Sequence, residues 1–368
     1  MKRRTRINKR LIKVTSPSRK DTLTKELIQI EMKLQESRKN STIYQEQKAI
    51  KSIKKNSKYF FTYAKKFSKI KQSIGPLKPN NEYVYDNNKI AELLSKQFSS
   101  VFTEKSNPNL SKEDIFPNKL NFELNDIELT DEMFLNALNE LSPTSAPGPD
   151  GMPAILLSKC KDIYAKILHM MWRVSLDCEE TPAQLREPNV VPIYKGGDKT
   201  KPENYRPISL TSHIVKVFEK VVRNSIVQHL EEKNLFNENQ HGFRKGRSCL
   251  SELLAHYDEI LASLESNNCV DTIYLDFAKA FDKVDFVILL QKLKKLGIGG
   301  KLGRWIYSFL NGRYQRVIVN GCPSKPAEVK SGVPQGSVLG PVLFVIMIFD
   351  IDHLTTASSV RSYADDTR

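Results

Sequence analysis

Apolar residues recur at helical spacing over much of this chain, and two kinds of interruption break the pattern: short alternating runs, and loops dense in proline and glycine. Leu23, Leu27, Ile30 and Leu34, then Tyr59, Phe60, Tyr63 and Phe67, lie among lysines in residues 20–75. That spacing predicts helices with charged outer faces. The lysine-flanked aromatics around Tyr59 suit either core packing or stacking on bases. Pro76, Pro79 and the Asn-rich stretch 80–88 mark a loop, 90–102 is predicted helical, and 106–117 reads as a polar linker. Residues 125–141 predict a helix that ends at SPTSAPGPDGMP, where four prolines and two glycines in twelve residues exclude regular structure. A helix is predicted through 153–176. The short runs VVPIYKGGD and YRPISL predict a hairpin, and 213–230 a further helix.

From 269 onward the two periodicities alternate. A strand over 270–275 precedes a helix over 285–296, which Gly297 ends. A helix over 302–310 leads to YQRVIV-NG-CPSKPAEV, where Asn320-Gly321 signals a type I′ hairpin. The loop SGVPQGS, a helix over 338–349 and a strand over 360–364 follow. Strands mixed with helices and local hairpins predict an α+β fold with an antiparallel sheet, not a doubly wound parallel one.

Charge changes this picture at one end only. The net charge is +15, but residues 1–80 hold 23 Lys/Arg against 5 Asp/Glu, and the other 288 residues hold 34 against 37. A segment so basic suits a polyanion, either nucleic acid or an anionic membrane surface, the alternative being a solvated tail. The five cysteines (160, 178, 249, 269 and 322) include no C-x-x-C pair, which excludes a zinc ribbon and a disulfide framework and fits a reducing compartment. The basic start MKRRTRINKRLIKV has no apolar region of the kind a secretory leader carries. The longest apolar run, 342–349, has eight residues, against roughly 20 for a membrane helix. The expectation is an intracellular protein of the nucleus or cytoplasm, neither secreted nor membrane-bound.

Two acidic positions carry the candidate chemistry. Asp276 closes one apolar run, and Asp365 and Asp366 close another. Carboxylates brought together from adjacent strand ends make an oxygen-only site for hard divalent cations. A pair of such ions about 4 Å apart activates a hydroxyl and stabilises a leaving pyrophosphate. An Asp-Asp pair after a strand is, by itself, most often a turn. Its weight comes from its companions.

FAKAFDKVD after Asp276, SGVPQGSVLGPVLF at 331–344 and YADD at 363–366 resemble the three palm motifs of reverse transcriptases, in the same order. Upstream, SAPGPDGMP (145–153), NYRPISLTSHIVKVFEK (204–220) and QHGFRKGRS (240–248) resemble blocks of the jockey-like group of non-LTR retrotransposons. The likeness covers 145–368 continuously, and the stretch 55–77 more loosely resembles the segment joining endonuclease to polymerase in those elements. The resemblance implies a right-hand polymerase with fingers and palm. Asp276, Asp365 and Asp366 would hold two Mg²⁺ ions (or Mn²⁺), with the Phe277 carbonyl as a further ligand. Lys195 and Arg206 would clamp the triphosphate, as an ammonium and a planar guanidinium suit it. Phe281 would exclude a 2′-hydroxyl and so select deoxynucleotides, its alternative being a core aromatic. Gln335 and Gly336 would contact the new base pair, and Arg244 and Arg247 the template phosphates.

The implied division is a basic helical region over 1–110, a helical region with the GPDG loop over 111–170, and fingers and palm over 171–368. The implied reaction is RNA-directed DNA synthesis, with an RNA template, a DNA primer or target and dNTPs as partners. Relatives in the family continue past YADD into a further strand and a thumb. The expectation is therefore a truncated chain, in which no strand returns after the Asp pair. The alternative is an inactive relic that only binds RNA. An RNA-dependent RNA polymerase is disfavoured by Phe281, since it must admit the 2′-hydroxyl.

Overall fold

The computed structural model describes residues 7, 17–53, 60, 63, 74–79, 82–104, 111–117, 121–354 and 358–368. The chain divides into two compact units, Met1–Ser73 and Ile74–Arg368. In the first, α1 (Pro17–Ser52) half-buries Leu23, Leu27, Ile30 and Leu34 along the predicted stripe. Most of the basic start, and Tyr59 and Phe61 of the aromatic cluster, lie outside the described residues.

The second unit begins with α2 (Asn87–Ser99), where the Asp86 carboxylate accepts the Lys89 amide at 2.9 Å and caps the helix. There follow α3 (Lys112–Ile115), α4 (Asp131–Asn139), α5 (Ala154–Lys159) and α6 (Lys161–Asp177). The helix expected over 125–141 is shortened at its start. Leu124 exchanges main-chain bonds with Gly297 and Gly299, and the Asn125 carbonyl accepts from Leu302, which holds that segment extended. Thr130 then caps α4. The helix expected over 153–176 is two helices, parted at Cys160.

Next come the hairpin strands β1 (Asn189–Tyr194) and β2 (Tyr205–Leu210), then α7 (His213–Glu232) and α8 (Cys249–Glu265). β3 (Leu275–Asp276), α9 (Phe286–Lys295), α10 (Gly300–Leu310), β4 (Tyr314–Val319), β5 (Cys322–Pro323), β6 (Ala327–Glu328), α11 (Gly340–Met347), β7 (Ser362–Tyr363) and β8 (Asp366–Thr367) complete the order. Asn320 and Gly321 both have positive φ, 51° and 88°, as a type I′ turn requires.

One sheet runs β2-β1-β4-β5, with β6 also paired to β4. Its β1–β4 ladder is parallel and the rest are antiparallel, so the sheet is mixed where an antiparallel one was expected. The long helical connection between β1 and β4 permits that parallel return. The second sheet, β3-β8-β7, is wholly antiparallel. It overturns the expectation that no strand returns after the Asp pair: β8 forms, and both its edges are bonded. At the open end of this hairpin Arg361 and Arg368 exchange main-chain bonds of 2.9 and 2.8 Å. Their side chains reach back to α8, Arg361 to Glu259 and Arg368 to the buried Glu252. The strand predicted over 270–275 shrinks to Leu275–Asp276, because its ladder extends only as far as β8 supplies partners.

The larger core lies among α4, α6, α7, α9, α10 and α11, centred on Trp172, Phe218 and Trp305. Trp172 stacks on Phe218 with centroids 4.3 Å apart, and Trp305 meets Phe218 edge-on at 5.0 Å. A smaller core of Ile90, Leu94 and Phe98 from α2 packs on Val190, Tyr205, Val317 and Val319 of the mixed sheet. Each such fully buried side chain contributes about 1.5–3 kcal/mol of transfer free energy. Together the two cores lie within the second unit, the smaller one against the β1–β2 hairpin.

Candidate active site

Pairing register decides where the carboxylates lie. Asp276 of β3 and Tyr363 of β7 are both directly opposite Asp366 of β8. Opposed residues in antiparallel strands share a face, so Asp276, Asp366 and Tyr363 project together, and all three are exposed. Ser362 and Thr367 face the other way and are buried, their hydroxyls 3.1 Å apart. Asp365 stands beside this face, on the two-residue turn, after Ala364 with a φ of +59°.

Among the described residues no three His, Cys, Asp or Glu side chains converge into a group able to hold a metal ion. The donor set still fits a hard divalent cation. It consists of carboxylate oxygens with the half-exposed Phe277 immediately after Asp276, and opposed Cβ atoms are about 5 Å apart in such ladders. The backbone thus makes Asp276 and Asp366 direct cross-strand neighbours.

Phe281 follows on a short 3₁₀ turn, Ala280–Lys283, entered through Lys279 with a φ of +56°. Its ring is half-buried, stacked on Phe344 of α11 at 4.5 Å and met edge-on by the exposed Phe243 at 6.3 Å. One face of the ring is thus packed against the core, and the ring is not enclosed. The SGVPQGS loop docks on this turn: the Phe281 carbonyl accepts the Val333 amide at 2.9 Å. Gln335 turns its amide to Asp282, with Nε2 3.0 and 2.9 Å from the two carboxylate oxygens, and its carbonyl accepts the Ser209 amide of β2 at 2.7 Å. Gly336 has a φ of +111°, and a Cβ there would meet the Ser209 carbonyl at 2.7 Å, so only glycine permits this approach. The loop therefore ties the fingers hairpin to the turn that carries Phe281.

On that hairpin Arg206 is opposite Ile193, and the Lys195 amide bonds the Asn204 carbonyl at 2.8 Å. Strand alternation then puts the exposed Lys195 and Arg206 side chains on one face.

Comparison with known proteins bears on the same stretch of the chain. A family model described as reverse transcriptase (RNA-dependent DNA polymerase) matches residues 193–368, which include Lys195, Arg206, Asp276, Phe281, Gln335 and the YADD turn. The probable RNA-directed DNA polymerase from transposon BS of Drosophila melanogaster is 29% identical over 243 residues, 64% of this chain and 27% of that protein. The RNA-directed DNA polymerase from mobile element jockey of Drosophila funebris is 29% identical over 237 residues, 62% of this chain and 26% of its own. The putative 115 kDa protein in type-1 retrotransposable element R1DM of Drosophila melanogaster is 29% identical over 299 residues, 80% of this chain and 27% of its own. Residues 193–368 thus match the reverse transcriptase family, and the chain is similar to proteins of non-LTR retrotransposons. It spans about a quarter of the length of these relatives.

The two arginines of GFRKGRS are placed differently. Arg244 is half-buried, lies over the Phe236 ring at 4.8 Å and donates to the Asn237 carbonyl at 2.7 Å. Burial lowers its guanidinium below the ordinary value. Arg247 is exposed, 3.3 Å from the His241 ring. Sequence reasoning missed the residues that brace these motifs from behind. Asp282 is buried beneath Gln335, and burial raises its carboxyl above the ordinary range. Glu219 of α7 is fully buried and accepts the Val338 and Leu339 amides at 2.6 and 2.9 Å, just before α11; burial raises its carboxyl too. Arg313, pulled down by burial to about 10, donates to the Leu310 and Gly332 carbonyls at 2.9 and 2.6 Å. Both Asp282 and Glu219 sit inside blocks that the sequence singles out, but nothing in their spacing reveals that they are buried.

Proposed function

We propose that the chain is the fingers and palm of an RNA-directed DNA polymerase that extends a DNA 3′-hydroxyl along an RNA template. The observation that carries this reading is the register of Asp276 opposite Asp366, with Asp365 on the adjoining turn. Reverse transcriptases generally use divalent metal ions, and Mg²⁺ is the ion these hard oxygen donors suit best, with Mn²⁺ as a substitute. Two bound ions would activate the primer hydroxyl and stabilise the leaving pyrophosphate. Asp276, Asp365 and Asp366 would hold them, with the Phe277 carbonyl as an added donor. The primer 3′-oxygen bonds to the α-phosphorus of the nucleotide, and the bond from that phosphorus to pyrophosphate breaks.

Lys195 and Arg206, on one face of the hairpin, neutralise the triphosphate and align it. Phe281 closes the space a 2′-hydroxyl needs, its ring fixed from behind by Phe344. Gln335 and Gly336 form the surface beneath the new base pair, and Arg247 contacts template phosphate. The basic region over 1–110 adds sequence-independent affinity for RNA, the GPDG region over 111–170 supports the fingers, and residues 171–368 carry the reaction. Among the described residues no helix is long and apolar enough to cross a membrane. We place the protein in the nucleus or cytoplasm, where its template and target are found.

The test is extension of a labelled DNA primer on an RNA template by the purified chain with dNTPs and Mg²⁺. Template-directed products that disappear in Asp365→Asn support the reading. RNA binding without extension in either protein would favour a binding role alone.

A further inference from the structure

The YADD turn is held by a residue to which no role has been given. Gln240 is 3% exposed, and its side chain ends against the turn. Its Oε1 accepts two main-chain amides, from Ala364 at 2.9 Å and from Gly242 at 2.7 Å, while its Nε2 lies 3.5 Å from the Ala364 carbonyl. Around it, the Asn239–Gly242 segment runs parallel to β7: His241 donates to the Ser362 carbonyl at 2.8 Å and Ser362 to the Asn239 carbonyl at 3.0 Å. A Cβ on Gly242 would collide with the Ala364 amide nitrogen, so the two backbones are as close as glycine allows.

Ala364 needs such support. Its φ of +59° is disfavoured for any residue with a Cβ, and the first position of this kind of two-residue turn is ordinarily taken by glycine. Its amide is buried, and a buried amide with no acceptor is costly. Gln240 supplies that acceptor from a position fixed by its second bond to Gly242.

We infer that Gln240 is a positioning residue for the catalytic carboxylates: it holds Ala364 in the left-handed conformation and so fixes where Asp365 and Asp366 leave the backbone. This rests on the metal-site reading above for its consequence, and on geometry alone for its effect on the turn. The chain therefore uses a fingers-side motif, QHGF, to set the shape of a palm motif that lies more than a hundred residues later.

Two readouts test it on the purified chain: amide hydrogen exchange over residues 361–368, and Mn²⁺ affinity by electron paramagnetic resonance. Gln240→Met keeps the side-chain length and removes the acceptor. It should speed exchange in 361–368 and weaken Mn²⁺ binding about tenfold, the order expected when support behind a metal ligand is lost. Adding Ala364→Gly to that variant should recover most of both, because glycine adopts positive φ without help. Unchanged exchange in Gln240→Met overturns the inference. So does a loss that Ala364→Gly fails to recover, which would make Gln240 a packing residue. Asp276→Asn with wild-type Mn²⁺ affinity would instead sink the metal reading, while the exchange result would still decide the role of Gln240 in the turn.

Discussion

The amide of Gln335 and the carboxylate of Asp282 face each other through two contacts, 3.0 and 2.9 Å, at the junction of two palm motifs. Asp282 follows Phe281, and Gln335 precedes Gly336, which packs against Ser209 of β2. This pair thus couples the position of the Phe281 turn to that of the loop proposed to meet the new base pair. Asp282→Ala should leave the Gln335 donors unpaired and cost about 1–3 kcal/mol in urea unfolding. Primer extension should fall more than RNA affinity does. A variant with unchanged stability and extension would show the pair to be incidental.

Asp282 and Glu219 also give stability a pH dependence with a definite sign. Burial raises both carboxyls, so the folded chain binds these protons more tightly than the unfolded one. Their contribution is fully present below the ordinary carboxylate range and is lost as pH rises through the raised folded values. Glu219→Gln keeps an acceptor for the Val338 and Leu339 amides and removes the titration. Across that window its unfolding free energy should fall less with rising pH than that of the wild type. Parallel curves would contradict this.

Much of this was legible in the sequence, and the rest was hidden for identifiable reasons. The Asn320-Gly321 turn, the stop at Gly297 and the hairpin of β1 and β2 follow from local chemistry, and the structure has them. The helix α8 was overlooked, although Ser248 caps it and Leu250, Leu254, Tyr257 and Leu261 mark its spacing. The extended segment before α4 was misjudged because its partners, Gly297 and Gly299, are more than 150 residues away. Asp276, Asp365 and Asp366 were singled out by their motifs, and the structure puts Asp276 opposite Asp366. Gln240, Asp282 and Glu219 were not, because their roles depend on burial and on long-range bonds that periodicity does not encode.

Phe281→Ala should raise the ratio of ribonucleotide to deoxynucleotide incorporation, measured with matched substrates on one template. Losing the ring stacked on Phe344 should also cost about 1 kcal/mol beyond the lost area. An unchanged ratio with lowered stability would leave Phe281 a core aromatic only.

The two arginines of GFRKGRS should separate in one experiment. Arg247→Ala should reduce the slope of log affinity for RNA against log salt by about 0.7, the loss of one phosphate contact on a single strand. Arg244→Ala should lower thermal stability and leave that slope unchanged, because its guanidinium is already bonded to Asn237. The opposite assignment would follow if only Arg244→Ala changed the slope.

The register of Asp276 opposite Asp366 is tested most directly by single-turnover primer extension on an RNA template, comparing wild type with Asp276→Asn and Asp366→Asn. Each substitution keeps the shape of an exposed side chain and removes one negative charge from the proposed ion site. The expected result is a fall in rate of about 10²–10³-fold or more in either variant, with RNA affinity and melting temperature unchanged. Extension at near wild-type rate by either variant would contradict the account.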